Sequence, residues 1–152
     1  MRIKIACVGK LKDRFYEEAA AEYAKRLSRF CTLTICEVAD ERCKDAATPG
    51  EERVVREREG ERLMNQIRDG EYVIALCVDG RRVTSEAFAA ELQGLLDAGR
   101  SAVTFVIGGS IGLSDAVRNR ADARISLSDM TMPHRLCRVF LLEQIYRACK
   151  IN

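Results

Sequence analysis

Tryptophan is absent from this chain of 152 residues, histidine occurs once, at His134, and proline twice, at Pro49 and Pro133. A single imidazole rules out a His-rich metal centre. The seven cysteines (Cys7, Cys31, Cys36, Cys43, Cys77, Cys137 and Cys149) are odd in number and contain no Cys-x-x-Cys pair of the zinc-binding kind. They sit in apolar strand-like or helix-like settings, where a reduced thiol behaves as a small hydrophobe, so no metal is expected. No apolar run approaches the ~18 residues of a membrane span. The first apolar stretch, MRIKIACVGKLK, is too short and too charged for a signal peptide. The expectation is a cytoplasmic protein without a membrane partner. Repeats, low-complexity tracts and interdomain linkers are also missing, which makes residues 1–152 a single domain, long enough to bury roughly two-thirds of its unfolded surface.

A strong net charge is lacking too, at +2, but the distribution is uneven. Residues 1–30 hold eight Lys/Arg against four Asp/Glu, and residues 130–152 hold four against one. If the fold joins the two ends, a polyanion-binding surface results. Scattered solubilising charge is the plainer reading of the same composition.

Hydrophobic spacing predicts strands at Arg2–Val8, Thr32–Val38, Tyr72–Val78, Ala102–Ile107 and Ala123–Leu127. It predicts helices over Phe15–Phe30, Glu51–Asp69, Ser85–Ala98, Ser114–Arg120 and Pro133–Lys150. In the first helix Phe15, Ala19, Tyr23 and Leu27 share one face, and in the second Glu52 and Arg56 stand at i,i+4. The βαβαβ order of the second half implies an α/β fold, a mostly parallel sheet with helices on both faces. The last helix is apolar on nearly all sides, which calls for a partner beyond the sheet and so for a homodimer.

The run FVIGGSIGLS, Phe105 to Ser114, ends a buried strand in Gly108 and Gly109, where backbone can approach a ligand closely. Strand ends of open α/β sheets are where ligands bind. The pattern fits neither GxGxxG nor a P-loop, and by itself a tight turn explains it equally well. Three such loops, after Ala75–Gly80, after Phe105–Gly109 and over Leu127–Met132, would converge at neighbouring strand ends.

VGKLK (Val8 to Lys12), YVIALCVDG (Tyr72 to Gly80), FVIGGSIGLS, SLSDMTMPH (Ser126 to His134) and LLEQIYRACKIN (Leu141 to Asn152), in this order and spacing, resemble the ribosomal RNA large subunit methyltransferase H family (RlmH) over essentially the whole chain. The resemblance implies a SPOUT-type α/β fold with a C-terminal trefoil knot. It implies an S-adenosylmethionine (SAM) site at Leu76, Gly108, Leu127, Ser128, Asp129, Met130, Thr131 and Met132, with a homodimer formed beside it. The implied enzyme transfers the sulfonium methyl to N3 of a pseudouridine in 23S rRNA, with the assembled ribosome as partner. Such an in-line displacement relies on positioning and proton handling, and requires neither a metal nor a nucleophilic cysteine.

Arg147 and His134 are the candidate catalytic residues. Arg147 would hold a phosphate or stabilise negative charge on the base, or else pair with Glu143 at i,i+4. His134 would accept a proton, or else hydrogen-bond the preceding loop. Arg135 and Arg138 are candidates for RNA phosphates or a dimer interface, and Lys10, Lys12 and Arg14 for the RNA backbone. Members of the family continue past KIN into a short tail ending in Pro-Tyr-His, whereas this sequence stops at Asn152. Two other readings therefore stand: a SAM-binding, ribosome-associated module without activity, and a SPOUT methyltransferase for another RNA such as tRNA.

Overall fold

β-branched and aromatic residues build five strands: β1 (Arg2–Val8), β2 (Thr32–Val38), β3 (Tyr72–Arg82), β4 (Ala102–Ile107) and β5 (Ala123–Ser126). The computed structural model describes all 152 residues. Its strands form one parallel sheet in the order β2-β1-β4-β3-β5, with Arg2 opposite both Thr32 and Ala102, Tyr72 opposite Val103 and Ile74 opposite Ala123. β4 is buried from Val103 to Ile107 because both of its faces are covered, hence its unbroken apolar run.

The helices are α1 (Arg14–Leu27), α2 (Pro49–Met64), α3 (Ser85–Asp97), α4 (Asp115–Arg120) and α5 (His134–Ile151). Their starts are written locally. Thr48 and Glu51 form a reciprocal capping box ahead of Pro49, Thr84 accepts from Ala87 N–H and Ser114 from Val117 N–H. Each cap contributes about 1 kcal/mol. α1, α3 and α5 cover one sheet face, where Leu27, Phe88, Leu92, Leu141, Leu142 and Ile145 pack on Ile3, Ile5, Phe105 and Ile125. α2 and α4 cover the other, with Leu63 and Val117 over Ala6, Val8, Val73 and Val106. Full burial of one such side chain is worth about 1.5–3 kcal/mol. α1 packs against α5, which brings the two basic ends of the chain together.

Three expectations need correction. β3 runs four residues past Val78, because residues 77–80 leave the ladder and Arg81 and Arg82 rejoin it beside Ile125 and Ser126. Only a glycine fits at the crossing, since a Cβ on Gly80 would lie 2.5–2.8 Å from the backbone of Ile125. α2 stops at Met64 rather than Asp69, where successive turns (Gln66 N–H to Leu63 O, Ile67 N–H to Met64 O) lead into the buried Glu71. Phe15 lies outside the buried face of α1, which consists of Ala20 and Leu27 with Tyr23 beside them.

Candidate cofactor site

The carboxyl ends of β3 and β5 open a cleft of about 120 Å³. Leu76, Cys77 and Val78 form one wall, and Ser126, Leu127, Ser128, Met130, Thr131 and Met132 the other, with Cys137 of α5 at the base. Sequence-local bonds shape the second wall: Ser126 Oγ donates to Ser128 O at 2.9 Å, and Met130 N–H donates to Ser128 Oγ at 3.0 Å. Pro133 then starts α5. The first wall is tied back by Arg118, which grips Asp79 with two bonds (2.8 and 3.1 Å) and holds its carboxyl below the usual range. Burial pushes the Cys77 thiol up, so it presents an uncharged lining.

Six of the eight expected cofactor residues therefore share one cleft. Asp129 lies beside it, exposed and paired with Arg82. Gly108 is buried one strand away, where a Cβ would come within 2.8 Å of Gly112. The register that pairs Ala75 with Val106 carries Cys77 toward Gly108, so the glycine turn borders the first wall. Gly109 and Gly112 close this turn as an isolated bridge, with Gly112 at φ +89°. The lining residues Cys77, Val78, Ser126 and Cys137 were not foreseen.

α2 braces the turn from below. Gly60 packs on Ser114, and the adjacent Glu59 reaches under Gly109. Glu59 accepts from Glu41 N–H at 3.0 Å through Oε2, while its buried Oε1 has no partner. Burial pushes this carboxyl up, Asp40 adds to the rise, and the Glu41 hydrogen bond opposes it. Nothing in the sequence of α2 separates Glu59 from its many solvated charges.

His134, the first residue of α5, is half-buried. Burial pushes its imidazole down, Arg135 and Arg138 add to this, and Asp40 opposes it. These effects favour the uncharged imidazole. Arg138 is 2% exposed, donating to Glu37 at 2.5 Å and to Gly9 O at 2.9 Å, which removes it from the RNA-facing candidates. Arg147 pairs with Glu143 one turn back on α5. It follows Cys137, the cleft residue on the same helix, by ten positions, about 15 Å along the axis, and is not among the residues that line the cleft of its own chain.

Two wider grooves, of about 430 and 510 Å³, lie elsewhere. One lies between α2 and α4, and the other at the amino ends of β1, β2 and β4. Open parallel sheets bind ligands at carboxyl ends, which favours the smaller cleft.

The sheet order, the register shift between β3 and β5 and the loop cleft define a class. A family model described as "Predicted SPOUT methyltransferase" matches residues 1–152. Solved structures agree on the fold: a probable methylase family protein from Haemophilus influenzae Rd KW20 superposes with a TM-score of 0.56 at 12% identity, covering 98% of this chain and 66% of that one. A probable methyltransferase from Bordetella pertussis Tohama I gives 0.56 at 14% identity, covering 97% and 96%. Curated relatives named "Ribosomal RNA large subunit methyltransferase H" are 52% identical in Lactobacillus acidophilus and 50% in Bifidobacterium adolescentis, each over the whole chain and 96% of the relative. The chain belongs to this methyltransferase H family of the SPOUT methyltransferases.

Proposed function

We propose that the chain methylates N3 of a pseudouridine in 23S rRNA of assembled ribosomes, using SAM. The observation that carries the reading is identity of about half over the full length with proteins named as large-subunit ribosomal RNA methyltransferases, spanning the loops that build the cleft. Leu76, Leu127, Met130 and Met132 suit the faces of a purine, and the loop backbone offers donors and acceptors to its edge. At about 120 Å³ the cleft holds one end of such a ligand and leaves the other free to meet the RNA.

When bound, the cofactor supplies a methyl group on a sulfonium, a good leaving group. With the cofactor bound, methylation at N3 would require the imide proton to depart. His134, adjacent to the second wall and with its uncharged form favoured, is assigned to receive it. Arg147 is assigned to the substrate, and its distance from its own cleft means that it acts across a homodimer. The half-exposed Val139 and Phe140 and the exposed Leu136 on α5 favour that assembly. The trefoil knot that the resemblance implies belongs to the same reading. No helix is long and apolar enough to cross a membrane, which accords with a cytoplasmic role.

Transfer of labelled methyl from SAM to 70S ribosomes lacking the modification, with free rRNA and tRNA alongside, tests the reading. Label on 23S rRNA from ribosomes alone is expected. Label on tRNA would redirect the substrate, and SAM binding without label anywhere would leave a binding module.

A further inference from the structure

Phe15 opens α1 with 64% of its surface exposed, although it is a large apolar side chain. Its ring lies 4.2 Å from that of Tyr16, so a second aromatic supports it. The surrounding charge is unbalanced. Arg14 is taken by Glu18 and Asp13 by Arg135, which leaves exposed Lys10 and Lys12 against the single free carboxylate of Glu17. An open aromatic face among unmatched cations matches single-stranded nucleic acid, which brings flat bases and phosphates together.

The placement adds to this. β1 ends on the same sheet edge as β3, β4 and β5, so the β1–α1 loop and the cofactor cleft share one surface. Two arginines in the first turns of α5 fix that loop, Arg138 through Gly9 O at 2.9 Å and Arg135 through Asp13 at 3.4 Å. Both follow Met132 closely in the chain, so the segment that walls the cleft also holds the loop.

We propose that Phe15 is a stacking platform for an unpaired base of the RNA substrate, with Lys10 and Lys12 holding the adjoining phosphates. The proposal rests on the RNA reading above and adds the surface that receives the strand beside the reacting base. A second copy of this chain is the less suitable occupant. A stable interface of about 800 Å² per partner has an apolar core depleted of charge, whereas here the exposed ring follows exposed Lys10 and Lys12 within five positions of the chain.

The test is binding of the full chain to a fluorescent single-stranded RNA oligonucleotide over a salt series. Phe15→Ala and Phe15→Leu should each weaken binding about tenfold, within the range for loss of one stacked base, while Phe15→Tyr keeps it. Combined Lys10→Gln and Lys12→Gln should flatten the slope of log affinity against log salt by about 1.4, which Phe15→Ala leaves alone. Unchanged affinity in Phe15→Ala, or equal affinity in the Leu and Tyr variants, overturns the platform. A lower assembly state of Phe15→Ala by sedimentation reassigns the surface to a second copy and overturns it too. The ribosome assay separates the two readings. RNA binding that depends on Phe15 without methyl transfer sinks the enzyme reading alone, and transfer with a silent Phe15→Ala sinks the platform alone.

Discussion

Glu59 and Gly109 meet where α2 supports the glycine turn: a Cβ on Gly109 would stand 3.0 Å from Glu59 Oε1, a buried oxygen without a hydrogen-bond partner. The contact couples a helix remote from the cleft to the turn that borders it. It also places a carboxyl where ionisation is unfavourable.

Because burial raises the folded-state value of Glu59, its protonated form favours folding below the unfolded value, and that contribution is lost as pH rises through the folded value. Glu59→Gln, which stays uncharged, should raise the thermal midpoint at about pH 7.5 by ~3 °C, about 1 kcal/mol for a chain of this size. The gain should vanish near the ordinary carboxylate value of about 4.5. Loss of stability at about pH 7.5 that disappears near pH 4.5 in a thermal melt would show instead that the carboxylate form is needed.

Two glycines should respond in opposite directions. Gly80→Ala drives a methyl into the backbone of Ile125, and neither side of that contact can yield without breaking the β3–β5 pairing. A loss of about 3 kcal/mol or failure to fold is expected. Gly94, inside α3, has nothing within 4 Å of the added atom, so Gly94→Ala should stabilise by about 0.5–1 kcal/mol. Chemical denaturation reads both, and a neutral Gly80→Ala would mean that the strands do not cross as closely as described.

Arg138 joins the β1–α1 loop to α5 from a buried position. Arg138→Ala should cost about 1–3 kcal/mol, because it leaves the carbonyl of Gly9 without its partner and removes a charge-assisted bond to the part-exposed Glu37. Arg138→Lys should recover only part of this, since one ammonium cannot reproduce the guanidinium fork. Full recovery in urea unfolding would reduce the interaction to charge alone.

Leu76→Ala removes apolar surface from the first wall of the cleft and should weaken SAM binding about tenfold, measured by calorimetry. Arg147→Ala should leave that affinity and the melting midpoint unchanged while abolishing transfer to ribosomes. Normal turnover by Arg147→Ala would take this residue out of the reaction.

β1, β2 and β4 could be read from their residues to the last position, because each is a compact run rich in β-branched residues. The outer part of β3 could not. Its return to the sheet after Gly80 depends on a strand more than forty positions later, which no local period encodes. Phe15 fitted the helical period, yet it stands in the first turn, ahead of Ala20 and Leu27, where α1 reaches the core. The loops that build the cleft were singled out through their combined resemblance, since a lone glycine pair serves a turn equally well. Glu59 was hidden because its role comes from what lies above it.

The position of β4 bears on how the chain is made. It is the only strand bonded to both β1 and β3, so the β1–β2 pair and β3 have no sheet in common before β4 exists. A nascent chain leaving the exit tunnel therefore carries two unconnected pieces until Ala102–Ile107 emerges. Arg81 and Arg82 wait longer still, for Ile125 and Ser126. Closure of the architecture belongs to the final stretch of synthesis, and translation arrested earlier would yield strands without a common sheet.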